Sequence, residues 1–280
     1  MRFTCVQAEF FSSDHFRVLL SIEMGSKNHE SVPVELISKI SRTKCNLETV
    51  FTDLVKQKFI KRVPTPAYEG YALTYTGYDN LALYALAKEG ALHSLGDKIG
   101  VGKESDVYIG ATEAKKLVCV KIHRLGRTCF KAVKNKRDYH ENRKHATWMY
   151  LSRLSAEKEY EHMQSLSGKI PIPQPLSQNR HVVIMEYLSE YVALSKVPAP
   201  HLTLPASLKE ALVKILDAIK DEGYVHGDFN EFNIMIRRDY KRVRIIDFPQ
   251  MVKSTDEKAE EYYARDRKCI EEFFKLPAAN

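Results

Sequence analysis

Apolar residues recur at helical spacing through the first third of the chain. Leu47, Val50, Phe51, Leu54 and Val55 fall at i, i+3, i+4, i+7 and i+8, which predicts a helix with one buried face. Upstream, residues 14–25 (DHFRVLLSIEMG) read as a helix capped by Ser13 or Asp14 and stopped at Gly25. A shorter helix starts near Pro33, a favoured first-turn residue, and buries Leu36, Ile37 and Ile40. The pattern then shifts to strands, FIKRV (59–63) and YALTY (71–75), joined by a loop containing Pro64, Pro66 and Gly70. Three helices, strand, wing and strand are the order of a winged helix-turn-helix, with Asn46 to Lys58 in the recognition position. A further helix is expected from Asp79 to Lys88, ending at Gly90. Two uses of such a domain stand side by side. Lys61 and Arg62 at the wing suit a nucleic acid, while Glu48 and Asp53 beside Lys56 and Lys58 suit protein docking or internal packing.

From about residue 93 strands dominate. DKIGVGKESDVYIGA (97–111) reads as strand, glycine turn, strand, and KLVCVKIH (116–123) as a third strand. A helix is expected from about Tyr150 to Ser167, then a buried strand, HVVIMEYL (181–188). Leu208, Leu212, Ile215, Leu216 and Ile219 mark an amphipathic helix ending near Gly223, and a last helix runs from Glu257 to Lys275.

The chemistry concentrates in VHGDFNEFNIMI (225–236) and IIDFPQ (245–250). These place Asp228, Asn233 and Asp247 between short apolar runs. A strand-loop-strand of this kind gathers three oxygen-bearing side chains at one end of a hairpin, enough to hold a divalent metal against a triphosphate. Asp228 is the expected catalytic base or orienting group, with Asn233 and Asp247 as metal ligands. Gly100-Val101-Gly102-Lys103-Glu104-Ser105 is not a Walker A loop, because glutamate follows the lysine, and not a dinucleotide fingerprint, because a strand follows. A hairpin turn and a kinase-type phosphate turn both fit it. In the second reading the Ser105 hydroxyl reaches a phosphate. Lys121 lies within the apolar run VCVKIH, and a buried ammonium there needs an anionic partner. The phasing of Tyr160, Met163 and Leu166 favours Glu159 over Glu157 or Glu161 for that role. At the strand end Met185-Glu186-Tyr187-Leu188, the Glu186 carbonyl and the Leu188 N–H are placed to hold an adenine edge.

Charge alters the picture at one segment. The net charge is +7, and nine Lys/Arg between Lys121 and Lys144 against Asp138 and Glu141 equal the whole excess. Any polyanion partner is therefore expected there, with Lys131, Lys134, Lys136 and Arg137 as RNA contacts. Five dispersed cysteines, without CxxC, argue against a disulfide framework and for a reducing, cytoplasmic setting. No apolar run approaches the roughly 20 residues of a bilayer span, and the start MRFTCVQAEF lacks a secretory signal, so no membrane partner is expected.

The strings IGVGKESDVY (99–108), VKIHRLGRTCFKAVKNKRDYHENRKHATWMYLSRLSAEKE (120–159), VHGDFNEFN (225–233) and IDFPQMV (246–252) resemble the RIO family of atypical protein kinases. Within it they are similar to the branch with an N-terminal winged helix. The resemblance implies an α+β fold: a winged helix-turn-helix domain over 1–92, then a minimal two-lobed kinase-like domain over 93–280, with lobes 93–186 and 187–280. It also implies ATP and Mg2+ as cofactors, Lys121 as the ATP lysine, and a role in cytoplasmic maturation of the small ribosomal subunit, in contact with rRNA and ribosomal proteins. Departures from ordinary kinases are physical. Gly227 stands where an arginine usually precedes the catalytic aspartate, and Pro249 replaces the glycine after Asp247-Phe248. No APE-like string follows Val252, so a conventional peptide groove is not expected. The expected output is either transfer to a serine or threonine hydroxyl, or an ATPase switch with Asp247 accepting the phosphoryl group. A nucleotide-regulated docking factor for the ribosome precursor is the non-enzymatic alternative.

Overall fold

The N-terminal helices form where the apolar stripes place them. After the short strand β1 (Thr4–Cys5), helix α1 (Ser13–Gly25) buries Phe16, Val18, Leu19 and Ile22. A two-residue strand, β2 (Val32–Pro33), precedes helix α2 (Val34–Ser41). Helix α3 (Leu47–Lys56) starts at Asn46, whose side chain accepts the Glu48 N–H, and buries Val50, Phe51 and Leu54. Strands β3 (Ile60–Arg62) and β4 (Gly70–Leu73) flank the wing, and β2 completes a sheet of order β2-β4-β3. The wing arginine Arg62 is ion-paired with Glu69, so part of the charge at the wing is internally matched, and Asp53 of α3 lies 3.4 Å from the His15 ring.

The computed structural model describes residues 4–5, 12–125, 148–198, 204–205 and 207–275, in two compact units. Unit one comprises 1–154 and 177–184; unit two comprises 155–176 and 185–280. Lys131, Lys134, Lys136 and Arg137 lie outside the described residues.

Helix α4 (Tyr75–Lys88) begins four residues before the sequence pattern suggests. Thr74 caps it by accepting the Gly77 N–H at 3.1 Å, and glycine is required at 77 because a Cβ there would run into the Phe59 carbonyl. Helix α4 serves two apolar cores. Tyr78 and Leu81 close the winged-helix core with Phe16, Ile22 and Phe59. Ala82, Leu83 and Leu86 pack instead with Leu92, Val118, Val120, Ile122, Val182 and Ile184.

That second core lies on a six-stranded sheet of order β1-β5-β6-β7-β9-β8. Its strands are β5 (Ser94–Val101), β6 (Ser105–Ala111), β7 (Leu117–His123), β8 (Pro175–Asn179) and β9 (Val182–Glu186), besides β1. Register shifts interrupt β5 between Leu95, Lys98 and Gly100, just before the glycine turn.

Helix α5 (Trp148–Leu166) leads into unit two. There β10 (Tyr191–Ala193), β12 (Ile234–Arg237) and β13 (Val243–Ile245) form one small sheet, and β11 (Tyr224–Val225) pairs with β14 (Val252–Lys253). Helix α6 (Ser207–Asp221) buries Leu208, Leu212, Leu216 and Ile219, and packs against α7 (Ala259–Phe273).

Candidate active site

In unit two the candidate catalytic loop is built from its own polar side chains. Between β11 and β12, Asn230 turns the chain by accepting the Phe232 N–H at 2.9 Å. Its amide also donates to Asp228 Oδ1 at 2.9 Å. Asn233 Nδ2 donates to Asp228 Oδ2 at 2.8 Å and to the Asp228 carbonyl at 2.9 Å. Asp228 is thus held on both carboxylate oxygens. Burial first, and then the charge of Asp247, push its carboxyl above the ordinary range.

Asp247 ends the β12–β13 hairpin that carries Asn233. The Ile246 N–H donates to the Asn233 carbonyl at 3.0 Å, which ties the two metal-ligand candidates to adjacent backbone. Asp247 sits at φ 73°, left-handed backbone that non-glycine residues adopt at a cost of roughly 1 kcal/mol or more. The donor set suits a hard divalent cation. The Asn233 amide nitrogen is spent on Asp228, which leaves its Oδ1, like the Asp247 carboxylate, available as an oxygen ligand for such a cation.

Three residues that sequence reasoning passed over hold this loop. Asp266 of α7 is 1% exposed and accepts the N–H groups of Gly227 at 2.7 Å and Phe229 at 3.0 Å, one on each side of Asp228. Its neighbour Arg265 donates to the Gly227 carbonyl. The available signal was an acid in register with Ala259 and Ile270 on the buried stripe of an otherwise polar helix. His226 is fully buried, with Nδ1 accepting the Asp228 N–H at 3.3 Å and Nε2 donating to the Ile246 carbonyl at 3.3 Å. The structure also explains Gly227. Its φ is +77°, and an added Cβ would lie 3.0 Å from the Gln250 carbonyl, so no arginine fits there without displacing the backbone.

Burial lowers the His226 pKa from 6.5 to about 4, despite the opposing pull of Asp247 and of the Ile246 carbonyl. Between those values the unfolded chain binds the proton and the folded chain does not. Stability therefore rises with pH across this window and is lost as pH falls from 6.5 towards 4, by about 3 kcal/mol. His226→Gln cannot be protonated and should flatten that part of the stability profile. Urea unfolding at pH 7 and pH 4.5 would measure it, and an unchanged slope in the variant would refute the assignment.

Glu159 on α5 is 1% exposed, and its Oε1 receives the Phe248 N–H at 3.4 Å, so it touches the residue after Asp247. Of the rival glutamates, Glu161 is exposed and Glu157 half-buried. Glu186 donates its N–H to the Gln174 carbonyl at 2.8 Å, and its carboxylate accepts the Gln174 N–H at 3.1 Å. The Leu188 carbonyl accepts the Tyr191 N–H at 3.2 Å.

The other candidates belong to unit one. Gly102 N–H donates to the Ser105 carbonyl at 2.7 Å and closes the turn between β5 and β6. A Cβ at Gly100 or Gly102 would meet only ordinary contacts, 3.5 Å from Val107 and 3.4 Å from Ser105. The fold alone does not demand glycine at either position, whereas a ligand brought close to this backbone would. Val101 and Lys103 are exposed on the turn. Lys121 lies opposite Val107 in the β6–β7 ladder and is 8% exposed.

A short aspartate–asparagine loop, a second aspartate after the next strand, and a glycine turn followed by a strand lysine together define the protein-kinase-like class. Comparison with known proteins places the chain within it. The RIO domain profile matches residues 106–279, and the N-terminal Rio2 profile matches residues 8–89. The chain belongs to the Rio2 family of serine/threonine-protein kinases. It is 44% identical to the Schizosaccharomyces pombe serine/threonine-protein kinase rio2, over 95% of this chain and 76% of that one. With the Methanocaldococcus jannaschii Rio2 it shares 35% identity, over 89% of this chain and 92% of that one. It spans only half the length of the Caenorhabditis elegans RIO2, at 41% identity over 95% of its own. Among solved structures, the Rio2 kinase–ADP/Mg2+–phosphoaspartate complex from Chaetomium thermophilum matches with a TM-score of 0.84 at 41% identity, over 97% of this chain and 84% of that one. Among the described residues no helix is long and apolar enough to cross a membrane.

Proposed function

We propose that this chain uses ATP and Mg2+ to run a phosphoaspartate cycle on Asp247 that serves maturation of the small ribosomal subunit in the cytoplasm. The observation that carries the catalytic part is the Asp228–Asn233 clamp at the open end of the hairpin that presents Asp247. The relative captured with ADP, Mg2+ and phosphoaspartate supports the same reading. Asn233 Oδ1 and Asp247 would hold the metal, which neutralises phosphate charge when bound. Lys121 and the Gly100–Ser105 turn would take the phosphates, and the Glu186–Leu188 backbone the adenine. An Asp247 oxygen forms a bond to the γ-phosphorus while the bond to the β-phosphate oxygen breaks and ADP leaves with that electron pair. Water then attacks the acyl phosphate, its proton passes to Asp228, and inorganic phosphate departs as the Asp247 carboxylate returns. A carboxyl raised by burial is a better base for that step than an ordinary one.

The ribosomal part rests on the family resemblance and on the basic charge of residues 127–144, where seven Lys/Arg stand against Asp138 and Glu141. Lys131, Lys134, Lys136 and Arg137 would meet rRNA phosphates, and ribosomal proteins would complete the docking surface. Incubation with γ-labelled ATP, quenched in acid, tests the cycle. The wild type should carry label that hydroxylamine removes, Asp247→Asn should carry none, and small-subunit precursor should change turnover. Label that resists hydroxylamine, or that persists on Asp247→Asn, would overturn the phosphoaspartate.

A further inference from the structure

Arg124 sits directly after β7, the strand of Lys121, and opens what the sequence presents as a basic run. It is nevertheless 7% exposed and engaged on every side. Nη1 and Nη2 grip Asp79 of α4 at 2.5 and 2.6 Å, and Nε reaches Asp106 of β6 at 3.2 Å. Its backbone N–H donates to the Glu104 carbonyl, inside the glycine turn, at 2.6 Å. Around this core, His181 Nε2 lies 2.8 Å from Asp79 Oδ1, and Lys98 Nζ lies 3.4 Å from Asp106 Oδ1. Asp106, at 1% exposure, needs a cation beside it, and Arg124 has a single planar fork to divide between two carboxylates.

The connectivity has a direction. Asp79 belongs to a winged-helix element, whereas Asp106 and Glu104 belong to the strand and turn that the proposed function assigns to phosphates. Arg124 also terminates the strand of Lys121, pairing next to the Ser105–His123 rung of the ladder. A shift of α4 therefore cannot leave the glycine turn where it is unless a bidentate ion pair breaks in a buried setting.

We propose that Asp79 and Arg124 are positioning residues for the nucleotide, coupling the winged helix to the glycine turn and to Lys121. The pair orients the phosphate-binding backbone and touches no substrate atom. This rests on the nucleotide reading of that turn given above. It assigns the winged helix a part in setting nucleotide affinity, through an interaction distinct from general docking.

A comparison pair exists in the same unit. Glu23 of α1 holds Arg180, in the turn between β8 and β9, through contacts of 2.7 and 2.8 Å. That bidentate pair also joins the winged helix to the sheet, and among the described residues Arg180 bonds Glu23, Asn179 and the Leu81 carbonyl rather than the glycine turn. Calorimetric titration of the full chain with ADP and Mg2+ separates the two. Asp79→Asn should weaken ADP binding roughly tenfold, a typical coupling between sites. Glu23→Gln should lower the melting temperature while leaving the affinity within about twofold of wild type. Arg124→Lys keeps the buried charge but cannot span both carboxylates, and should weaken binding like Asp79→Asn even if that variant folds poorly. Wild-type affinity in both Asp79→Asn and Arg124→Lys overturns the coupling alone. Equal weakening by Glu23→Gln overturns it too, in favour of plain interdomain stability. Failure of the wild type to bind ADP removes the nucleotide site itself, and the coupling with it.

Discussion

Asp228→Asn should lower ATP turnover by about 10²- to 10⁴-fold while leaving the protein at least as stable as the wild type. The two halves of that expectation have one cause. The Asp228 carboxyl is raised by burial and by Asp247, so its ionised form is a burden on the folded state and an asset to proton transfer. An amide removes both. It can still accept from Asn230 or Asn233, but no longer from the two together, so one neighbouring amide must rotate. Thermal unfolding and steady-state phosphate release measure the two effects independently. If turnover survived, water activation would need another base; if turnover and stability fell together, the loss would be one of folding.

The second large effect belongs to Asp266. Removing its carboxylate with Asp266→Ala leaves the Gly227 and Phe229 N–H groups buried without an acceptor. At about 1–3 kcal/mol for each of the two orphaned donors, the expected loss is about 2–6 kcal/mol before a partial offset, because folding no longer desolvates a carboxylate. Asp266→Asn keeps one acceptor and should lose about half as much. Turnover should fall further than stability does, because both donors flank Asp228 and fix its backbone. Urea unfolding combined with turnover on the folded fraction would decide. A normal rate in folded Asp266→Ala would show that the loop holds its shape unaided.

These two aspartates also show what a sequence exposes. Asp228, Asn233 and Asp247 were legible because one loop and one hairpin contain them, so local spacing alone encodes their meeting. Asp266 acts across 37 and 39 residues, and on its own helix it looks like one more charge among Glu260, Glu261, Arg265 and Arg267. Arg124 misled in the opposite sense: its cationic neighbours in sequence suggested a polyanion partner, while its partners in space are the buried Asp106 and the half-buried Asp79. The winged-helix order was readable from periodicity, but β2, β11 and β14 are two residues each and carry no period. The early start of α4 hid behind Gly77, a poor helix former demanded by the Phe59 carbonyl.

One helix with two apolar faces bears on how such a protein can be inherited. Residues Tyr78 and Leu81 of α4 complete one core, while Ala82, Leu83 and Leu86 complete another. A winged helix borrowed from elsewhere would have to bring a matching second face, and a RIO sheet deprived of α4 would present Leu92, Val118 and Val120 to water. Recombination at the seam is therefore disfavoured at both ends. The two halves are bound to diverge together, and substitutions on the back of α4 should be read against the sheet as much as against the winged helix.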